Sequence, residues 1–183
     1  MWTKIQVKLN ERVVLFRDSL PIRALGPGRH IIWRGFTVGR SRLTEIWFQT
    51  DRLVFETLPE IRAALPKDWY REVQLGNRER AVLYRDGAPA TFLRPGVHRY
   101  WTVDPSVELK LFSVDAPMPE LTDELVRVLP KSEYVSGLIR ENERGLQYTQ
   151  GKLTRVLDPG QYALWSHPEA RVEVRTVDMR RQP

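Results

Sequence analysis

ERAVLYRDGAPATFLRPGVHRYW, residues Glu79 to Trp101, decides the architecture because the chain contains this stretch three times. An earlier copy, ERVVLFRDSLPIRALGPGRHIIW, runs from Glu11 to Trp33, and a later one, ERGLQYTQGKLTRVLDPGQYALW, from Glu143 to Trp165. The three align without a gap. Glu-Arg opens each copy, Pro-Gly follows with its proline sixteen residues on, and a tryptophan closes it six residues after that proline. Self-similarity at this level implies repeated supersecondary units before any local assignment is made.

Within one copy, Val82, Tyr84 and their neighbours form a β-branched and aromatic run that ends at Asp86-Gly87. Asp-Gly tolerates positive φ at both central positions, so it closes a two-residue hairpin. Thr91 to Leu93 form the returning strand. Pro95-Gly96 then supplies the fixed φ and the positive φ of a type II turn, from which Val97 to Trp101 leave as a third strand. The same turns fall at Asp18-Ser19 and Pro27-Gly28 in the first copy, and at Gln150-Gly151 and Pro159-Gly160 in the third. Each copy reads as a small antiparallel meander, with Trp33, Trp101 and Trp165 in its core.

Outward from the copies, Ile5, Val7 and Leu9 alternate with polar residues and predict a half-buried leading strand. Glu72 to Leu75 and Gly137 to Ile139 are its equivalents. Asn10, Gly76-Asn77 and Glu141-Asn142 interrupt each strand just before Glu-Arg. Beyond the tryptophans, loops carrying Gly35, Gly39, Pro105 and Pro168 lead to strands ending at Asp51, Asp115 and Asp178. Helix starts are signalled at Thr57 to Glu60 and at Pro117 to Glu120. Both helices stop at Leu-Pro-Lys, Leu65 to Lys67 and Leu129 to Lys131, since proline disfavours helical geometry in the preceding residue. The expected fold is therefore mainly β (α+β), three tandem meander units joined by short helices. Boundaries near Tyr70 and Val135 give units 1–70, 71–135 and 136–183. The third unit reaches Arg180 to Pro183 with no helix, so the chain either ends there or is part of a longer one.

The formal charge of +6 comes from 23 Arg and 6 Lys against 23 acids. That excess would suit an anionic surface, nucleic acid or lipid headgroups, but a mixed-charge solvated surface is the favoured reading. The arginines are scattered over all three copies, which weakens the nucleic-acid case. No cysteine is present, so neither a disulfide framework nor thiol chemistry is expected. No signal-like stretch opens the sequence, and no run approaches the roughly twenty apolar residues of a membrane span. A soluble, cytoplasmic chain is expected.

Candidates for chemistry are few. His30 and His98 share one repeat position, which Tyr162 occupies in the third copy, and they read as rings packed beside the tryptophans. His167 falls in a loop and is expected to be solvated. The pairs Glu11-Arg12, Glu79-Arg80 and Glu143-Arg144 are adjacent on strands, so their side chains point to opposite faces. They form salt bridges within a unit or bridge to neighbouring units. No phosphate loop, nucleophile elbow or metal-ligand spacing is found, and Gly26 to Gly28 read as a turn. No catalytic residue, cofactor, metal or small-molecule substrate is expected.

The pattern Glu-Arg-x-apolar run-Arg-Asp-Gly, then Leu-x-Pro-Gly-x-His-x-x-Trp, then Val172-Glu-Val-Arg-Thr-Val-Asp178, resembles the N-terminal region of bacterial slipins. These are stomatin-like members of the SPFH (band 7) superfamily. The strand ending at Asp178 is similar to the one that opens the band 7 domain. The repeated unit is also similar to the stacked repeats of the major vault protein. The resemblance implies a non-enzymatic scaffold that forms homo-oligomers, with a membrane surface or membrane protein as partner at the inner face of the membrane. These 183 residues include no hydrophobic hairpin and no long coiled-coil helix of the family's kind. Competing expectations are a nucleic-acid-binding module using basic, aromatic β-surfaces and a peptide-binding adaptor using a sheet edge.

Overall fold

The computed structural model describes residues 2–33 and 42–180, so Gly35, Gly39 and Arg181 to Pro183 lie outside the described residues. The chain is mainly β, with every described sheet antiparallel and no larger than three strands. Each copy opens with a strand: β1 (Trp2–Val7), β6 (Tyr70–Leu75) and β11 (Tyr134–Ile139). A hairpin follows, β2 (Glu11–Arg17) with β3 (Leu20–Leu25), β7 (Glu79–Arg85) with β8 (Ala88–Leu93), and β12 (Glu143–Thr149) with β13 (Lys152–Leu157). Next come β4 (Gly28–Trp33), β9 (Gly96–Trp101) and β14 (Gly160–Trp165), and last β5 (Leu43–Gln49), β10 (Val107–Ser113) and β15 (Val172–Asp178).

Pairing refines the expected meander. The strand after each Pro-Gly bend does not lie beside its chain neighbour. It pairs with the strand that opens the copy, giving two-stranded ribbons β1-β4, β6-β9 and β11-β14. The last strand then joins the hairpin's other edge, giving three-stranded sheets β3-β2-β5, β10-β7-β8 and β13-β12-β15. A backbone reason is visible at the bend. Gly28, Gly96 and Gly160 have φ of 130°, 133° and 136°, and each is the first residue of its new strand. That region is open only to glycine without strain, and it lets the chain leave one sheet for another. Leu9, expected at the end of the leading strand, lies in the turn that follows β1 and is exposed.

The hairpin turns match the sequence reading. Asp86 and Gly87 have φ of 51° and 77°, and Gln150 and Gly151 have 51° and 78°. The first copy makes the same turn with Asp18 at 51° and Ser19 at 68°, placing a side chain where the other copies have glycine. A register shift two residues before each turn also recurs, between Leu15 and Phe16, Leu83 and Tyr84, and Gln147 and Tyr148.

The helices α1 (Pro59–Ala64) and α2 (Asp123–Val128) are single short segments. Proline at the start of α1 and the stops at Leu65 and Leu129 agree with the sequence signals. The second helix begins later than Pro119 suggested. Thr122 caps it, its Oγ1 accepting the Leu125 N–H at 3.3 Å, because a hydroxyl can satisfy a first-turn donor that proline cannot.

Contacts divide the chain into two compact units, Met1–Gln74 with Gly96–Val107, and Leu75–Pro95 with Glu108–Pro183. The second copy is therefore shared: its ribbon belongs to the first unit and its sheet to the second. In the first unit, Ile5, Val7 and half-buried Ile32 of the β1-β4 ribbon pack against Val13, Leu15 and Leu25 on one face of the β3-β2-β5 sheet. The opposite face, Val14, Phe16, Ala24 and Phe48, packs against α1, Phe55, Leu65 and Trp101. In the second unit, Val82, Tyr84, Phe92 and Phe112 pack against α2, Leu129, Tyr134 and Trp165. The first of these cores lies within one copy, and the other two are each built from parts of two copies.

Because Ser19 holds a backbone conformation that costs an L-residue about 1 kcal/mol, Ser19→Gly is expected to stabilise the protein by roughly 0.5–1 kcal/mol, read as a shift in the urea unfolding midpoint.

Candidate functional site

The feature repeated with the most detail is the joint at which a tryptophan-bearing ribbon covers the preceding sheet. In the first unit the Trp101 ring stacks on Phe55, centroids 4.1 Å apart at 19°, and meets Phe48 edge-on at 5.7 Å and 66°. In the second, Trp165 meets Phe112 at 6.3 Å and 50°. Trp101 is 1% exposed and Trp165 is 7% exposed. The indole N–H of each is buried with no protein acceptor, so apolar contact area and ring geometry, rather than a hydrogen bond, hold the ring in place. The backbone repeats as well. The Thr102 N–H donates to the Trp69 carbonyl at 2.8 Å, and the Ser166 N–H donates to the Glu133 carbonyl at 2.9 Å.

The repeated Glu-Arg pairs act on the turn that precedes them. Glu11 accepts the Lys8 backbone N–H at 3.0 Å, Glu79 that of Gly76 at 2.8 Å, and Glu143 that of Arg140 at 3.1 Å. The hydrogen bond from Lys8 is the main cause holding the Glu11 carboxyl below the usual glutamate value. Each arginine turns to carbonyl groups of the same turn. Arg12 Nη1 donates to Leu9 at 3.0 Å and to Glu11 at 2.6 Å, Arg80 Nη1 to Asn77 at 2.9 Å and Glu79 at 2.8 Å, and Arg144 Nη1 to Glu143 at 3.0 Å. The aspartates at or just past the ends of the last strands close the same corner, Asp51 on Asn10, Asp115 on Arg78 and Asp178 on Asn142.

Two of these arginines also reach the connector that leads into the next copy. Arg12, buried and pushed below the usual arginine value by that burial, lies over the Trp69 ring at 5.1 Å. Arg80 Nε lies 2.8 Å from Glu133 Oε2, both side chains about 95% buried, and Arg94 Nε lies 2.9 Å from Glu133 Oε1. Trp69 and Glu133 occupy one repeat position, just before Tyr70 and Tyr134. Arg144 Nε lies 3.6 Å from an exposed aspartate, Asp158.

The histidines do not gather. His30 Nε2 lies 2.8 Å from the Gly26 carbonyl oxygen, bracing the corner at Pro27-Gly28, and His98 Nε2 stands in the corresponding place beside Gly96. His167 is buried, contrary to the expected solvated loop, in a tight turn where its backbone bridges to Ala170. A cleft of about 540 Å³ opens beside Arg80, Arg94, Glu133 and His167, where the charged groups are already engaged with one another. Among the described residues no group of three His, Cys, Asp or Glu side chains is placed to hold a metal ion. None of the described helices is long and apolar enough to cross a membrane. Comparison with family models, curated proteins and solved structures gives no match.

Phe55 and Glu133 are the joint residues that local patterns missed. Glu133 was legible only as an acid beside an apolar strand, and its arginine partners are 53 and 39 positions away. Removing the ring is expected to show the joint's weight. Trp101→Ala should destabilise by about 3–5 kcal/mol, whereas Trp33→Ala, at an exposed copy of the same position, should cost a small fraction of that, both read by chemical unfolding.

Breaking the buried ion pair from one side leaves a charge without compensation. Glu133→Leu is expected to cost about 3–5 kcal/mol, and Arg80→Met combined with Glu133→Leu should recover most of that loss in the same unfolding assay.

Proposed function

We propose that the protein is a non-enzymatic scaffold of the stomatin-like, band 7 kind, which associates with further copies of itself. One observation carries this reading. The stable contact within the chain is a docking of one copy's ribbon on another copy's sheet, and the chain makes it twice. Small sheets with two apolar faces need neighbours on both sides, and arrays of such units extend by nearest-neighbour contacts. The Glu-Arg pairs, the most regular charged feature of the sequence, hold backbone turns and connectors, a use that suits a frame. A peripheral place at a membrane follows from the resemblance, and the charge of +6 suits anionic headgroups.

Light scattering across a concentration series tests the scaffold reading. The weight-average mass is expected to rise above the 21.5 kDa of one chain as concentration increases. A protein that stays at the single-chain mass at every concentration overturns it.

A further inference from the structure

We propose that copies of this chain join head to tail, the outer face of the β1-β4 ribbon of one lying on the outer face of the β13-β12-β15 sheet of the next. The inference rests on the self-associating scaffold reading and assigns the two surfaces that it needs. Both surfaces are present in the chain in a form already seen docked.

The ribbon surface carries Trp2 and Trp33, which are register partners with ring centroids 4.6 Å apart. Tyr134 and Trp165 are register partners at the same positions of the third copy, and Tyr70 and Trp101 occupy them in the second. Those two pairs line the buried joints described above. Trp33 is 41% exposed, and Ile31 on the same ribbon face is exposed beside it.

The sheet surface is the counterpart. Residues directly opposite in an antiparallel pair share a face. Leu146 stands opposite Val156, Tyr148 opposite Leu153, and Arg144 opposite Val177. The same face of the first copy is made by Val14 with Ala24, Phe16 with Pro21, and Arg12 with Phe48. There Val14 and Phe16 are buried beneath α1 and Trp101. In the third copy Leu146 and Tyr148 are only half-buried, and Val156 and Val177 are 55% and 44% exposed. Arg175 lies over Tyr148 at 5.1 Å, as Lys110 lies over Tyr84 at 4.1 Å in the second copy, where the tryptophan docks in spite of the cation. Trp101 meets Phe48 and Trp165 meets Phe112, so Trp33 of an incoming chain would meet Val177.

Within the chain, α1 and α2 complete each joint with Leu65 or Leu125. The contact proposed between chains is intermolecular and therefore concentration-dependent. The two surfaces differ, so the contact is heterologous and propagates as strings or rings rather than stopping at a two-fold dimer.

Complementation tests this. One variant, Trp2→Ala with Trp33→Ala, loses the ribbon surface, and another, Val156→Glu with Val177→Glu, loses the sheet surface. All four positions are exposed, so both variants are expected to stay folded with an unfolding midpoint close to that of the wild type. Should the glutamates shift it, Leu153→Lys on the same face takes their place. Each variant alone is expected to stay at 21.5 kDa where the wild type assembles, and an equal mixture to give a species of two chains and no larger. If either variant alone assembles as the wild type does, the head-to-tail joint is overturned while the scaffold reading stands. A wild type that never leaves the single-chain mass removes both.

Discussion

Burial of one indole on each of two ribbons, Trp101 and Trp165, against a neighbouring sheet is the contact on which the rest of the structure depends. A two-stranded ribbon or a three-stranded sheet of six- and seven-residue strands has too little interior to bury its own apolar surface. Placing Trp101 under Phe48 and Phe55, and Trp165 beside Phe112, makes a core from parts of two copies. A fully buried aliphatic or aromatic side chain contributes about 1.5–3 kcal/mol, so a cluster of five such residues outweighs a single orphaned indole N–H. The consequence is a protein whose compact units and sequence copies have different limits.

Corner geometry makes that contact reproducible. Two backbone devices recur at each copy: a glycine at φ near 130° where the chain changes sheet, and a glutamate that accepts the N–H three residues before it. The adjacent arginine takes up the carbonyl groups of the same turn. Adjacent residues on a strand point to opposite faces, so one polar pair can serve the turn from both sides. Only where the connector offers a partner does the arginine reach further, to an aromatic ring in one case and a carboxylate in the other.

These assignments bear on function through what the polar groups are doing. Glu11, Glu79 and Glu143 face backbone amides, Glu133 faces two arginines, and His30 faces a carbonyl. Regular charged motifs expected to make salt bridges within a unit or contacts between units are first of all parts of turns. In the proposed frame these groups serve the turns, in keeping with the band 7 resemblance carried by the turn and strand signatures.

Much of the local structure was legible from residues alone. The copies, their hairpins at Asp86-Gly87 and Gln150-Gly151, the glycines after proline and the helix stops at Leu65 and Leu129 all depend on backbone preferences acting over a few residues. Such preferences are local and therefore readable. Strand partnership and burial were not, because they depend on residues far apart in the chain: β9 beside β6, Glu133 on Arg80, Trp101 under a sheet fifty residues earlier. The same Trp code stands at 33, 101 and 165, yet one ring is exposed and two are buried. A side chain's identity sets what it gains from leaving water, and only the tertiary structure decides whether a neighbour is there to receive it.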